Sequence, residues 1–239
     1  MADIHEIAPD IFRINIFDSK IQLGFNHFLV RDDEPLLYHT GYRHMFPELF
    51  GAVKTLIDPA KLRWISWSHF ESDECGALNL WLEAAPNAQP VCNFLGAILN
   101  VNDYAIRAPL VLGEGESLST GRCRFQAHST AHLPHGWDAS VLMEETSQTL
   151  FCSDLVFQFG PMEPVTEKDV LGRVEDSLLS MNGTPLGYSI PYTKHTDQIL
   201  RRIAALKPKL LATMHGSSFR GNGEQVLLDY AALLKKVLS

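Results

Sequence analysis

Four groups able to hold a cation or move a proton stand within six positions of the segment SHFESDE: His69, Glu71, Asp73 and Glu74. The apolar run RWISW leads directly into them. His69, Glu71 and Asp73 alternate, so on an extended backbone they share one face, and on the turn after a strand they can converge on one point. Any single one of them reads as a solvated loop residue. Several together at the end of a buried strand are harder to place, because like charges repel unless a cation sits among them.

Three other stretches offer partners. AHSTAHLPHGWDAS carries His128, His132, His135 and Asp138. Asp154 interrupts the apolar stretch LFCSDLVF, where an unpaired carboxylate is expensive. His215 follows the apolar LLATM and precedes a glycine. His69, Asp154 and His215 therefore share one placement, at or near the end of an apolar strand. Donors gathered along one sheet edge are distant in sequence and close in space. His5, His39, His44 and His195 have no such companions and read as ordinary neutral imidazoles. Cys75 lies beside the cluster, but a thiolate is a soft donor among hard ones, and it reads as packing.

The elements that would position these groups follow from periodicity. Strands are expected at IFRINIF, GFNHFLV, PLLYHT, LRWISWSH and QPVCNF, and again at APLVL, GRCRFQAHS, ASVLMEE, TLFCSDLVFQ and KLLATMHG. Helices are expected at FPELFGAVKTLI, GALNLWLEAAP, TKHTDQILRRIAAL and GEQVLLDYAALLKKVL. Two face-to-face sheets with helices outside would use every element. The 239 residues suit a single domain over 1–239. The net charge of −8 and the lack of any Lys/Arg cluster beyond pairs speak against nucleic acid. No apolar run is long enough for a membrane helix, and the N-terminal residues lack a signal-peptide core, so a cytoplasmic protein is expected. Four scattered cysteines, with no C-x-x-C, fit reduced thiols.

The ordered set His69-x-Glu71-x-Asp73-Glu74, His135, Asp154, His215 resembles the metallo-β-lactamase superfamily, and more narrowly the diiron core of flavodiiron proteins. Glu71 in place of a second histidine, HGWDAS around His135 and HGSSFR around His215 carry the narrower resemblance. It implies an α/β fold, the αββα four-layer sandwich. It also implies one metal on His69, Glu71 and His135 and another on Asp73 and His215, with Asp154 bridging. His132 rivals His135, and the aspartate and serine that follow favour His135. The sequence departs from the family at Glu74, where the superfamily carries histidine. Glu74 reads either as a solvated loop glutamate or as a donor or hydrogen-bond acceptor at the second metal. His27 lies where the resemblance places residues near the metal pocket, so it can support a donor from behind. No flavodoxin-like segment is read in this sequence, so no FMN is expected in it. Stand-alone oxygen-binding diiron proteins are the closest analogy.

Three imidazoles with three or four carboxylates form an oxygen-rich set that favours two iron ions, an Fe–O–Fe type centre, over zinc, the alternative metal. The expected function is binding, and reduction if electrons are supplied, of dioxygen or nitric oxide. An external redox or signalling partner protein and a homodimer go with that reading, and no catalytic residue is expected beyond the metal ligands. The alternative is a dinuclear hydrolase of phosphoesters, thioesters or lactones using a bridging hydroxide. It needs a proton donor, for which His132, Tyr188 and Tyr192 are candidates.

Overall fold

Side chains alternate across each strand, and here each face has a different neighbour. The computed structural model describes residues 2–238. One sheet runs in sequence order through β1 (Asp3–Ala8), β2 (Ile11–Asp18), β3 (Leu23–Val30), β4 (Leu36–Tyr38), β5 (Trp64–Ser66), β6 (Gln89–Cys92) and β7 (Leu110–Val111). Pairing is antiparallel from β1 to β4 and parallel from β4 to β7. The parallel half needs crossovers, and helices supply them: α1 (Phe46–Leu56), the single turn α2 (Ser72–Cys75) and α3 (Leu78–Ala84). A further crossover combines α4 (Phe94–Gly96), a π-helical turn and α5 (Asn102–Tyr104).

The second sheet has the order β12-β14-β13-β11-β10-β9-β8. Its strands are β8 (Ser117–Ser119), β9 (Arg124–Ser129), β10 (Ser140–Glu144), β11 (Thr149–Ser153), β12 (Val165–Thr166), β13 (Leu210–Thr213) and β14 (Ser218–Arg220). Helices α6 (Leu171–Met181), α7 (Thr196–Ala204) and α8 (Gly223–Leu238) cover its outer face.

Three apolar clusters separate four layers. Phe28, Val30, Leu36 and Tyr38 point inward and meet Phe125, Leu142 and Phe151 of the other sheet. Their alternates Phe25, Leu29 and Leu37 point outward onto α1 and α3, with Trp81 fully buried there. Leu150 and Cys152 alternate with Phe151 and face α6 to α8. The fold is the α/β four-layer sandwich of the metallo-β-lactamase type.

The structure differs from the sequence reading in several elements. TLFCSDLVFQ is not one strand: β11 stops at Ser153, which has a positive φ of 52° and sits at a break in register with β13. Asp154 thus lies on a turn just beyond the strand, where its carboxylate can leave the apolar layer. LRWISWSH pairs only over Trp64–Ser66, which frees His69 for a turn. β1, β8, β12, β14, the short helical turns α2, α4 and α5, and α6 fall outside the expected elements. The segment LGRVEDSLLSM mixes charge into its apolar period, yet Val174, Ser177, Leu178 and Met181 fall on one buried face.

Phe151 is fully buried between the sheets, its ring 5.5 Å from Phe28, 5.2 Å from Tyr38 and 5.8 Å from Phe125. Phe151→Ala should lower unfolding stability by about 3–5 kcal/mol in denaturant titrations. A midpoint equal to that of the parent would show that the layer between the sheets does not hold them together.

Candidate metal centre

The expected donors meet along one edge of the sandwich, each delivered by the end of a strand. β5 feeds the turn bearing His69, Glu71 and α2. The loop between β9 and β10 carries His135. Asp154 follows β11, and His215 follows β13 by two residues. Gly136 has a positive φ of 84°, and a Cβ there would lie 3.3 Å from the His69 Cβ. Glycine at this position allows the His135 loop to close against His69. Asp138 pins the same loop: its carboxylate accepts the Phe70 amide N–H at 2.9 Å, and its carbonyl accepts from the Asn93 side chain at 2.6 Å.

His69 Nε2 lies 2.9 Å from His135 Nε2, and Glu71 Oε2 is 3.0 Å from the first and 2.7 Å from the second. Asp154 Oδ2 stands 3.7 Å from each of the two imidazoles. These four residues present donor atoms within 4.8 Å of one another. The other oxygen, Asp154 Oδ1, faces His215 Nε2 at 3.4 Å, and Asp73 Oδ2 lies 3.4 Å from that same nitrogen. His215 Nδ1 donates to the Gly24 carbonyl at 2.9 Å, which turns Nε2 toward the carboxylates. Asp154 therefore spreads its two oxygens over two donor groups: His69, Glu71 and His135 on one side, Asp73 and His215 on the other.

This geometry fits metal ions. Two imidazole nitrogens aimed at each other gain little without something between them, and Asp73 Oδ1 and Asp154 Oδ1 are buried with no hydrogen-bond partner. Without a cation, protons must take its place. Burial by itself would lower the His69 imidazole, but Glu74, Glu71 and Asp154 together outweigh burial and raise it to about 10. His135 is raised against burial chiefly by its hydrogen bond to Glu71, and His215 against burial by Asp73 and Asp154. Glu71, bonded by His135 and His69, is held far below the usual carboxylate range. Burial raises Asp154, with the imidazoles of His215 and His69 opposing it.

Glu74 does not face the Asp73 side. Successive residues of a helical turn point about 100° apart, and α2 directs Asp73 to the pocket and Glu74 behind His69. The Glu74 Oε2 accepts the amide N–H groups of Ser68 and His69 at 2.8 and 2.9 Å. Its Oε1 accepts from Ser153 Oγ at 2.5 Å and lies 3.5 Å from both His69 Nδ1 and His39 Nε2. The expected place at the second metal is thus corrected to the rear of the first. His39, read as an ordinary imidazole, is fully buried in this group, with a positive φ of 68°. His27 is fully buried, its Nδ1 donating to the His39 carbonyl at 3.2 Å. Burial lowers its imidazole to about 4, which keeps it neutral. His132 is exposed and outside the cluster, its amide N–H donating to the Gly136 carbonyl.

A cavity of about 310 Å³ opens above the donors. Its walls are largely apolar, with Phe25, Phe157, Phe159, Met181 and Ile190 among them, and its lining contains no lysine or arginine. Tyr42, not anticipated from the sequence, also lines it.

Residues 23–216 match the family described as "ODP family beta lactamase". The chain belongs to that family. Among curated proteins, this ODP-family chain is 35% identical over 223 residues to "Nitric oxide reductase" of Moorella thermoacetica, covering 90% of the chain and 54% of the relative. It is 24% identical over 211 residues to "Rubredoxin-oxygen oxidoreductase" of Megalodesulfovibrio gigas, covering 85% and 51%. The chain spans about half the length of these curated relatives. A solved fragment of a putative diflavin flavoprotein from Nostoc sp. PCC 7120 superposes with a TM-score of 0.81 at 16% identity, covering 98% of this chain and 96% of that one. That likeness concerns the fold.

Because the His69 imidazole is raised to about 10, it carries a proton at neutral pH in the metal-free chain. Metal uptake must displace that proton, so affinity should climb with pH until His69 has lost it near 10. Calorimetry of Zn(II) uptake at pH 7, in buffers of different ionisation enthalpy, should register net proton release. Uptake without proton release would mean that metal does not replace the His69 proton. Glu74→Gln sets an amide NH2 among donors that need an acceptor. It should cost about 1–3 kcal/mol of stability in denaturant titrations, and a variant as stable as the parent would place Glu74 outside the support of His69.

Proposed function

We propose that this chain is a non-haem diiron protein that binds dioxygen or nitric oxide, and reduces it when an external donor supplies electrons. The observation that carries the reading is Asp154, whose two oxygens face two separate donor groups under one apolar cavity. His69, Glu71 and His135 would hold one ion, Asp73 and His215 the other, with Asp154 shared. Two iron ions held there would supply the one-electron chemistry that neither the side chains nor the backbone possess. The names of the two curated relatives, an oxygen oxidoreductase and a nitric oxide reductase, support the same class of chemistry.

The residues of the chain have definable tasks. Three carboxylates offset most of the charge of two divalent ions and leave an excess that favours a small anionic or electron-rich ligand. Glu74 and Ser153 support His69 from behind, and the Gly24 carbonyl orients His215. The largely apolar walls admit a small uncharged molecule and offer few hydrogen bonds to water. A redox or signalling partner protein, a second copy in a homodimer and a single-domain organisation belong to this proposal. Among the described residues, no helix is long and apolar enough to cross a membrane.

The hydrolase reading has less support. The cavity lining offers no lysine or arginine to a phosphoester. Of its candidate proton donors, Tyr188 and His132 are exposed, Tyr192 packs on the core beneath α6 to α8, and none lines the cavity.

The test is anaerobic reconstitution with Fe(II), followed by elemental analysis and dioxygen uptake in the presence of a chemical reductant. About two irons per chain and catalytic consumption of dioxygen or nitric oxide are expected, and Asp154→Ala should lose both metals together. Zinc retained alone in iron excess, with no reaction toward either gas, would overturn the proposal.

A further inference from the structure

The cavity above the donors is nearly devoid of hydrogen-bonding groups other than the donors themselves. Apart from them, only Tyr42 and Ser189 among its lining residues carry a side-chain O–H. Tyr42 is set in place by its neighbours. Gly41 turns the chain after β4 with a positive φ of 76°, and a Cβ there would meet the His27 ring at 2.9 Å. With the backbone turned in this way, the next side chain becomes part of the cavity wall. The Tyr42 ring packs edge-on against Phe25, with centroids 5.5 Å apart and planes at 74°. Phe25 in turn packs edge-on against the His215 imidazole at 5.2 Å. On its outer side Tyr42 stacks on His44 at 5.4 Å. Rings held on both sides lose little entropy when the hydroxyl takes up a partner.

The Tyr42 hydroxyl has no hydrogen-bond partner among the described residues, and the side chain is partly exposed. A tyrosine hydroxyl, with an ordinary pKa of about 10, keeps its proton at neutral pH, and this one shares the cavity lining with Asp73, Glu71 and Asp154. A neutral O–H on a largely apolar cavity wall is placed to donate to a polar atom that enters.

We propose that Tyr42 is the hydrogen-bond donor to a small ligand with an oxygen or nitrogen acceptor atom, held in the cavity over the Asp73, Asp154 and Glu71 carboxylates. It is a ligand-binding residue and not a metal ligand. The proposal rests on the diiron reading above and adds to it the group that selects for an acceptor atom in an otherwise apolar space. Tyr42 also lines an open surface groove with Arg43, His44 and Leu80, so the same residue forms a wall between cavity and solvent.

Azide is the probe, since it is small, accepts hydrogen bonds and has a reporter vibration. Iron-reconstituted parent, Tyr42→Phe and Ser189→Ala proteins are titrated with azide, and iron content is measured on each. The azide stretch is recorded in H2O and D2O. In the parent the stretch should move on deuteration, because the bonded proton exchanges. Tyr42→Phe keeps the ring and its packing, so it should retain iron but bind azide roughly tenfold more weakly, with the deuterium shift gone. Ser189→Ala should behave as the parent. Unchanged affinity and deuterium shift in Tyr42→Phe would overturn the proposal, as would loss of iron from that variant or transfer of the whole effect to Ser189→Ala. A parent that takes up no iron would overturn the diiron reading and this proposal together. A parent that binds iron and azide, with Tyr42→Phe matching it in affinity and deuterium shift, removes this proposal alone.

Discussion

Everything at the upper edge of this protein depends on one electrostatic constraint: three carboxylates and three imidazoles converge in a pocket that is largely shut off from water. Asp73, Asp154, His69 and His215 are all buried, and only Glu71 and His135 reach solvent appreciably. Such a set is unstable as bare charge, since burial penalises each ionised group and neighbouring carboxylates repel. It holds together through protons or through cations. The rest of the architecture keeps the six groups from relaxing apart. Backbone in left-handed conformation at Ser153, Gly136 and His39 surrounds the site, and residues other than glycine hold that conformation only where the surroundings compel it. At Ser153 the compelling contact is visible, its hydroxyl bonded to Glu74 in the space behind His69.

Glu74 shows how a change of donor type can be accommodated without rebuilding the site. A carboxylate in that position could have joined the pocket and added a fourth negative charge. Instead it is turned inward and takes two backbone N–H groups and one hydroxyl, which is close to a full complement for a carboxylate. The Asp73 side of Asp154 then has fewer protein donors than the His69 side. This inequality follows from the phase of a single helical turn.

Much of the fold was readable because apolar alternation reports directly on which face of a strand is buried. GFNHFLV divides into outward Phe25 and Leu29 and inward Phe28 and Val30, as its alternation requires. The donors were visible because histidines and carboxylates interrupt apolar runs at a cost that demands a reason. Other features left no such trace. The end of β11 is set by a serine in a left-handed conformation, and serine is not a residue type that announces one. The direction of Glu74 depends on a helix of four residues, too short for any periodic pattern. Tyr42 was hidden because a cavity wall is assembled from segments remote in sequence. Its aromatic ring looks like core until the empty space beside it is known. In α6, charge at the exposed positions masked the apolar stripe.

The six groups are divided evenly along the chain. His69, Glu71 and Asp73 come from the half that builds the first sheet, and His135, Asp154 and His215 from the half that builds the second. Below the site the halves are joined by the apolar layer around Phe28, Tyr38 and Phe151. At the site they are joined by whatever neutralises the cluster. A cation that binds only the closed arrangement adds its binding free energy to the clasp between the sheets, in proportion to the logarithm of its supply. The same cation that serves a reaction would then also set how often this edge opens to proteases. Metal availability would govern the abundance of the protein as well as its chemistry.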